Sequence, residues 1–275
     1  MSLFDVFRYN GKRILVVGGA TGMGAATAQL VQGAGAEVVV MDYAEVTLAG
    51  AEAIHVNLGE KASIDAAIDE AGGTFNALFS CAGVADGTPG IEKINFIGHR
   101  YLIDGLLQRD MLPRGSAIGM ISSAAGLGWE RELEVNKELL AISDWDEAVA
   151  WVQAHGKADY MSMKQVMCAY VALEALPLLQ RGIRINAICP GPTDTPLAQA
   201  NKDMWLGFGA DYRAVAGIEP STPMEQAGAL VFLCSAAAVA ITGQTVISDA
   251  GYLSAGLSGS FPEATGAAGF LLGRY

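Results

Sequence analysis

Short runs of contiguous apolar residues alternate with longer helix-compatible segments along the first half of the chain. Arg13-Ile-Leu-Val-Val17 is β-branched and ends at a glycine, Met23 to Ala34 is helix-compatible and stops at Gly35, and Glu37-Val-Val-Val-Met41 follows as a second strand. Ala53-Ile-His-Val56 predicts a third strand, Ser63 to Ala71 a helix and Asn76-Ala-Leu-Phe-Ser80 a fourth strand. A long helix over Ile94 to Leu112 precedes a fifth strand, Ser116-Ala-Ile-Gly-Met-Ile121. Runs that are apolar throughout belong to parallel strands covered by helices on both faces. Their alternation with helices predicts an α/β fold, a doubly wound parallel sheet with right-handed crossovers.

The second half repeats the scheme with wider gaps. A helix from Tyr160 to about Gln180 leads to the strand Ile183-Arg-Ile-Asn-Ala-Ile188, then to a loop rich in Pro, Gly and Thr and an irregular region to about Pro223. Ala227 to Ser248 carries no charge and is long enough to span a bilayer. Ser235 and Thr242-Gly243-Gln244 interrupt it, so it predicts a buried helix, a turn and a buried strand that close the sheet. No linker and no repeat divides the chain, and a single domain over residues 1–275 is the simplest reading. Leu253 to Tyr275 contains five glycines without a clear period and reads as a tail or an arm.

Composition narrows the function. The 275 residues include 17 basic and 29 acidic side chains, a formal charge of −12, with 52% apolar and only 17% charged residues. That balance excludes a disordered chain and disfavours a nucleic-acid binder, which needs a basic patch. The four cysteines, at 81, 168, 189 and 234, form no C-x-x-C pair, so neither a disulfide framework nor a metal site is expected. Met1 to Arg13 has no apolar core flanked by basic residues, and the expected location is the cytoplasm. The excess of acid is a solubility feature.

The segment Val17-Gly18-Gly19-Ala20-Thr21-Gly22-Met23-Gly24 lies between the first strand and the first helix. Glycines there permit a tight turn and let a pyrophosphate approach the free N–H groups of the helix N-terminus. Asp42 follows the second strand, 18 residues after Gly24. A carboxylate at that place accepts from both ribose hydroxyls of an adenosine and repels a 2′-phosphate, so the cofactor expected is NAD rather than NADP. Tyr160-Met-Ser-Met-Lys164 puts a phenol and an ammonium on one helix face. Bringing a phenol of pKa about 10 into use near neutrality takes about 3–4 kcal/mol of differential stabilisation, which a neighbouring cation can supply.

Taken together these residues resemble the short-chain dehydrogenase/reductase family, from about Gly11 to Leu253. The family's glycine fingerprint is matched by Gly18, Gly22 and Gly24, with Val17 in the place of its threonine. Its N-A-G turn is matched by Cys81-Ala82-Gly83, and its catalytic Asn, Ser, Tyr and Lys by Asn95, Ser123, Tyr160 and Lys164. Pro190-Gly191-Pro-Thr193-Asp-Thr195 matches the loop that holds the nicotinamide carboxamide, and Asn57 stands where relatives often carry an Asp near the adenine. The resemblance implies a Rossmann fold that binds NAD through Gly18, Thr21, Gly22, Met23, Gly24, Asp42, Asn57, Leu58, Cys81, Ala82, Gly83, Tyr160, Lys164, Pro190, Gly191, Thr193 and Thr195. It implies hydride exchange between a secondary alcohol and a ketone, and a homodimer or homotetramer.

Two features distinguish this chain from the family pattern. Ser123 and Tyr160 stand 37 residues apart, so an insertion of about 129–158 sits beside the expected active site. Within it Ser143-Asp-Trp-Asp146 resembles a capping box, and Trp145, Ala148, Val149 and Val152 follow at helical spacing. That stripe packs on the body, or lines an apolar substrate cleft, or covers a subunit interface; a similar insertion occurs in the family's bacterial hydroxysteroid dehydrogenase/carbonyl reductase branch. Met204, Trp205, Leu206 and Phe208 lie in the region that forms the family's substrate lid. Such side chains favour a bulky apolar substrate of hydroxysteroid type. The alternatives are a cyclic diol dehydrogenase, an NADH-dependent ketoacyl reductase, which Asp42 disfavours, and a non-catalytic NAD sensor.

Overall fold

The computed structural model describes residues 4–273. Its first half runs β1 (Arg13–Val17), α1 (Gly22–Gly33), β2 (Glu37–Asp42), β3 (Glu52–His55), α2 (Lys61–Ala71), β4 (Ala77–Ser80), α3 (Gly98–Gln108) and β5 (Ala117–Ile121). Four helices come next, α4 (Leu133–Ala141), α5 (Trp145–Ala154) and α6 (Tyr160–Gln180), then, after β6 (Arg184–Pro190), the short α7 (Pro196–Gln199). The chain ends through α8 (Lys202–Trp205), α9 (Ala210–Ala216), α10 (Pro223–Cys234), β7 (Gln244–Ser248), α11 (Tyr252–Ser258) and α12 (Thr265–Leu272). All seven strands pair in parallel in the order β3-β2-β1-β4-β5-β6-β7.

The continuous apolar runs have the reason expected of them. Leu15, Val17, Val39 and Met41 face one core layer, with α2, α3 and α6. Ile14, Val16, Val38 and Val40 face the other, with α1 and α10. The inner strands β1, β2, β4, β5 and β6 therefore have no solvent face over their apolar length, and period-2 alternation has nothing to encode. β7 departs from the expectation of a buried closing strand. It is one edge of the sheet, β3 being the other, and Val246 and Ile247 remain 38% and 39% exposed. The charge-free run that ends in β7 does contain α10, opened by Pro223 and a capping box in which Thr222 and Glu225 satisfy each other's backbone N–H groups. Among the described residues no helix is long and apolar enough to cross a membrane.

The insertion forms α4 and α5. Asp144, not Ser143, caps α5, its carboxylate accepting from the N–H groups of Asp146 and Glu147 at 2.9 and 3.0 Å. Trp145, Ala148 and Val152 are buried, and the Trp145 ring meets Tyr101 of α3 edge-on at 5.6 Å. The buried Arg100 of α3 donates to the carbonyls of Leu139 and Ile142. The stripe thus packs on the body and covers part of α3 and α6, helices whose low charge otherwise suits a subunit contact. The leucines of α6 left exposed are Leu173, Leu176 and Leu179.

The tail is not a free arm. α11 and α12 fold back, burying Leu253, Ala264, Ala268 and Leu271 against Leu127, Cys168 and Cys189. Its glycines serve close approach: a Cβ on Gly256 would stand 2.5 Å from the Ala264 carbonyl oxygen. Small residues leave no helical period to read, which is why these helices are invisible in the pattern. Arg131 of the insertion donates to the Phe270 carbonyl at 2.6 Å and ties the two late segments together. Residues 274 and 275 of the tail lie outside the described residues.

Candidate active site

The C-terminal ends of β1, β4, β5 and β6 open onto one crevice, the place where a doubly wound sheet binds its ligand. At the end of β1, Gly18 has φ of +82° and its N–H bonds the Met41 carbonyl at 2.8 Å. A Cβ on Gly18 would stand 2.3 Å from the Ala82 nitrogen, and one on Gly24 1.9 Å from the Gly18 carbonyl oxygen. The turn therefore tolerates no side chain at either place. It leaves a cradle of bare backbone at the α1 N-terminus, which fits a dinucleotide pyrophosphate. Asp42 stands beside the cradle, accepting from the N–H groups of Ala20 and Ala44, each at 2.8 Å. Each carboxylate oxygen keeps a further lone pair for a ribose hydroxyl.

Asn57 is placed differently from its expected use. Its amide oxygen accepts from Gly59 N–H at 2.9 Å and its amide nitrogen donates to Glu60 at 2.8 Å. The side chain holds its own loop, and Leu58 beside it is buried. Cys81 is packed, and burial pushes its thiol far up, as it does for Cys234. Neither behaves as a nucleophile.

Met23, Cys81, Gly83, Ser123, Tyr160, Lys164, Pro190, Gly191, Thr193 and Thr195 line one cavity of about 380 Å³. Gly22 adjoins it, since a Cβ there would meet Thr195. Asn95 sits behind the wall in a single π-turn over Lys93–Ile97 that breaks the expected long helix. Its amide bonds both the N–H and the carbonyl of Val84, at 2.8 and 2.9 Å. Lys164 is buried and its Nζ donates to the Ile121 carbonyl at 2.8 Å. Burial pushes that ammonium down to about 8. Burial raises the Tyr160 phenol, a Ser123 hydrogen bond pulls it down, and Asp86 and Cys189 push it further up. The chain's own groups thus hold Tyr160 above its ordinary value, opposite to the lowering expected from Lys164, because desolvation outweighs the Ser123 hydrogen bond; the Lys164 Nζ lies 5.6 Å from the ring centroid.

The far wall is apolar. Met204, Trp205, Phe208 and Leu271 line it, while Leu206 does not, and no residue of the insertion contributes. The Trp205 ring lies 4.9 Å from that of Tyr160. Three features carried no signal in the sequence. Leu271 comes from the tail. Asp86, in the loop after β4, lines the cavity and accepts from Tyr160 N–H at 2.5 Å. His99 of α3 is fully buried between Ser80 and the Ala82 carbonyl, with Nδ1 accepting from the Ser80 hydroxyl at 2.5 Å and Nε2–H donating to Ala82 O at 3.0 Å. It braces the Cys81-Ala82-Gly83 turn.

His99 has a measurable consequence. Burial lowers it to about 4, against an ordinary value near 6.5. Between those two values the unfolded chain binds a proton that the folded chain refuses. Stability therefore falls as pH drops from about 6.5 to about 4, by about 3 kcal/mol at the limit. His99→Asn is expected to be less stable at pH 7 and to show a shallower loss over that window in urea melts. An unchanged acid slope would refute the account.

Fold and crevice together define an α/β protein of the dinucleotide-binding class, with a glycine turn that fits a pyrophosphate and a phenol and an ammonium in the adjoining cavity. A family model described as enoyl-(acyl carrier protein) reductase matches residues 139–253. The chain is 30% identical over 256 residues to cis-4-hydroxycyclohexanecarboxylate dehydrogenase of Sinomonas cyclohexanicum, covering 86% of this chain and 95% of that one. It is 29% identical over 251 residues to coniferyl-alcohol dehydrogenase of a Pseudomonas species, covering 88% and 97%. The crystal structure of 3-alpha-hydroxysteroid dehydrogenase from Pseudomonas sp. B-0831 complexed with NADH superposes with a TM-score of 0.71 at 25% identity, over 90% of this chain and 99% of that one. The chain belongs to the short-chain dehydrogenase/reductase family. It is an NAD(H)-dependent oxidoreductase that acts on the CH–OH or C=O groups of small organic substrates.

Proposed function

We propose that the protein interconverts a secondary alcohol and its ketone on a bulky apolar substrate of hydroxysteroid type, with Asn95, Ser123, Tyr160 and Lys164 as its machinery. The observation that carries this reading is the meeting of Ser123, Tyr160 and Lys164 on one wall of a cavity whose other wall is Met204, Trp205, Phe208 and Leu271. Gly18, Thr21, Gly22, Met23 and Gly24 would hold the pyrophosphate side of NAD, and Asp42 the adenosine ribose. Leu58 and the Cys81-Ala82-Gly83 turn would bound the adenine and nicotinamide ribose sides. Pro190, Gly191, Thr193 and Thr195 would hold the nicotinamide end. Asn57, spent on its own loop, would shape the adenine side through that loop.

NAD⁺, when bound, would supply the hydride acceptor for the carbinol carbon and a second positive charge beside that of Lys164. Tyr160 takes the hydroxyl proton in oxidation and returns it in reduction. Ser123 partners the phenol and favours the phenolate in the free site, and turns its one O–H toward the substrate oxygen when substrate is bound. Lys164 supplies the fixed charge and binds the nicotinamide ribose. Asn95 holds the π-turn open, where a water can connect Lys164 to solvent. Trp205 rests on Tyr160 and excludes bulk water from it.

The test is NAD⁺ reduction with a panel of 3-hydroxysteroids and cyclic diols, and NADH oxidation with simple ketones and a ketoacyl thioester. The reading expects the steroids to give the highest kcat/KM. Tight NADH binding with no turnover of any of them would overturn it in favour of a sensor. A cytoplasmic location belongs to the same proposal, supported by four free cysteines, as a reducing compartment keeps them. So does a homodimer or homotetramer. The exposed Val246 and Ile247 of edge strand β7, with Phe232 and Val239 exposed nearby in the chain, support pairing between copies. Sedimentation velocity at micromolar concentration should show no monomer, and a monomer there would refute it.

A further inference from the structure

Asp86 is unlike the rest of the cavity wall. Its neighbours on that wall include Met161, Leu197, Met204, Trp205 and Phe208, and Lys164 is the other charged residue lining the space. Lys164 is buried and already donates to Ile121 O, whereas Asp86 is exposed toward the mouth. One Asp86 oxygen, Oδ1, is anchored by Tyr160 N–H, which holds the carboxylate at the first residue of α6 and so beside the phenol's own residue. A carboxylate fixed there is an acceptor for a hydrogen-bond donor on the substrate. It is also a fixed negative charge in a part-desolvated place, where like charge is repelled more strongly than in bulk water.

We propose that Asp86 is the specificity-determining residue of the cleft: among substrates of one ring skeleton it favours a second hydroxyl beside the reacting carbon, and it rejects a carboxylate there. This rests on the secondary-alcohol reading above and narrows it. The anchor explains how an exposed carboxylate can select: it is held in one place rather than sweeping through solvent, so the second hydroxyl meets an oriented acceptor. A substrate anion placed near the carbinol would have to approach the same oxygens without a counter-charge, since Lys164 is screened behind Tyr160 and the β5 carbonyl.

The experiment measures kcat/KM with NAD⁺ for cyclohexanol, cis-1,2-cyclohexanediol and cis-2-hydroxycyclohexanecarboxylate, in the wild type and in Asp86→Asn. Asparagine keeps an oxygen for Tyr160 N–H and removes the charge. The wild type should prefer diol over cyclohexanol and cyclohexanol over carboxylate. In Asp86→Asn the carboxylate-to-cyclohexanol ratio should rise about tenfold, the scale of one close charge pair near a surface. Raising salt from about 0.01 to about 0.5 M should raise that ratio in the wild type and leave it flat in the variant. Quenching of tryptophan fluorescence in the NADH complex gives the same ratio as dissociation constants, without turnover. A ratio unchanged by the substitution and by salt, or a wild type that prefers the carboxylate, overturns the proposal. Absence of turnover with these and with every steroid overturns the alcohol reading itself, a result separate from an unchanged ratio.

Discussion

Tyr160→Phe is expected to lower kcat by about 10²–10⁴-fold while NADH binding changes less than about threefold, the span of a general acid–base contribution. Phenylalanine keeps the ring that packs against Trp205 and loses only the hydroxyl that Ser123 partners. The proton then has no acceptor within the apolar wall. Stopped-flow absorbance at 340 nm separates the two quantities, and retained turnover would sink the assignment of the acid–base group. The pH profile follows from the same environment. Burial, Asp86 and Cys189 raise the phenol, and Ser123 alone among the named groups pulls it down. Oxidation needs the phenolate, so kcat/KM for the alcohol should climb with pH into the alkaline range, and reduction should fall over the same interval. Buried Lys164, at about 8, loses its charge in that range and limits the climb.

Asp42→Ala is expected to cut the preference for NAD⁺ over NADP⁺ by about 100-fold. A charged acceptor on a ribose hydroxyl is worth about 1.5–3 kcal/mol, which is about 10- to 100-fold in NAD affinity. The same substitution removes the charge that opposes a 2′-phosphate, and no Lys or Arg stands beside Asp42 in the sequence to add a new attraction. Asp42 also accepts from Ala20 and Ala44, so the variant loosens the glycine turn itself. That loss falls on both cofactors and cancels in the ratio, which makes selectivity a better readout than either affinity. A ratio within threefold of the wild type would show that the carboxylate does not meet the ribose.

Legibility in the sequence tracked the range of the interaction. The glycine turn, the strand ends and the Tyr160–Lys164 pair are local: neighbours along the chain fix each, and each was readable. The cap of α5 was misread by one residue because Ser143 and Asp144 are both good caps and only the backbone entering the helix chooses between them. Asp86 and His99 could not be read. A lone Asp in a glycine-containing loop and a lone His on a helix have no periodic partner, and their meaning lies in Tyr160 and Ala82, 74 and 17 residues away.

By itself the sequence determined the parallel α/β sheet and the glycine turn and pointed to NAD, since continuous apolar runs, obligatory glycines and one carboxylate are each set by nearest-neighbour sterics and charge. The tertiary structure alone decided what surrounds the substrate. It laid the insertion's apolar stripe on α3 rather than in the cleft, brought Leu271 from the tail to the cleft wall, and left β7 as a bare edge. An apolar side chain records in its type that it will be buried, but not against what; that partner is selected by packing across distant segments, where shape and volume rather than pattern choose the contact.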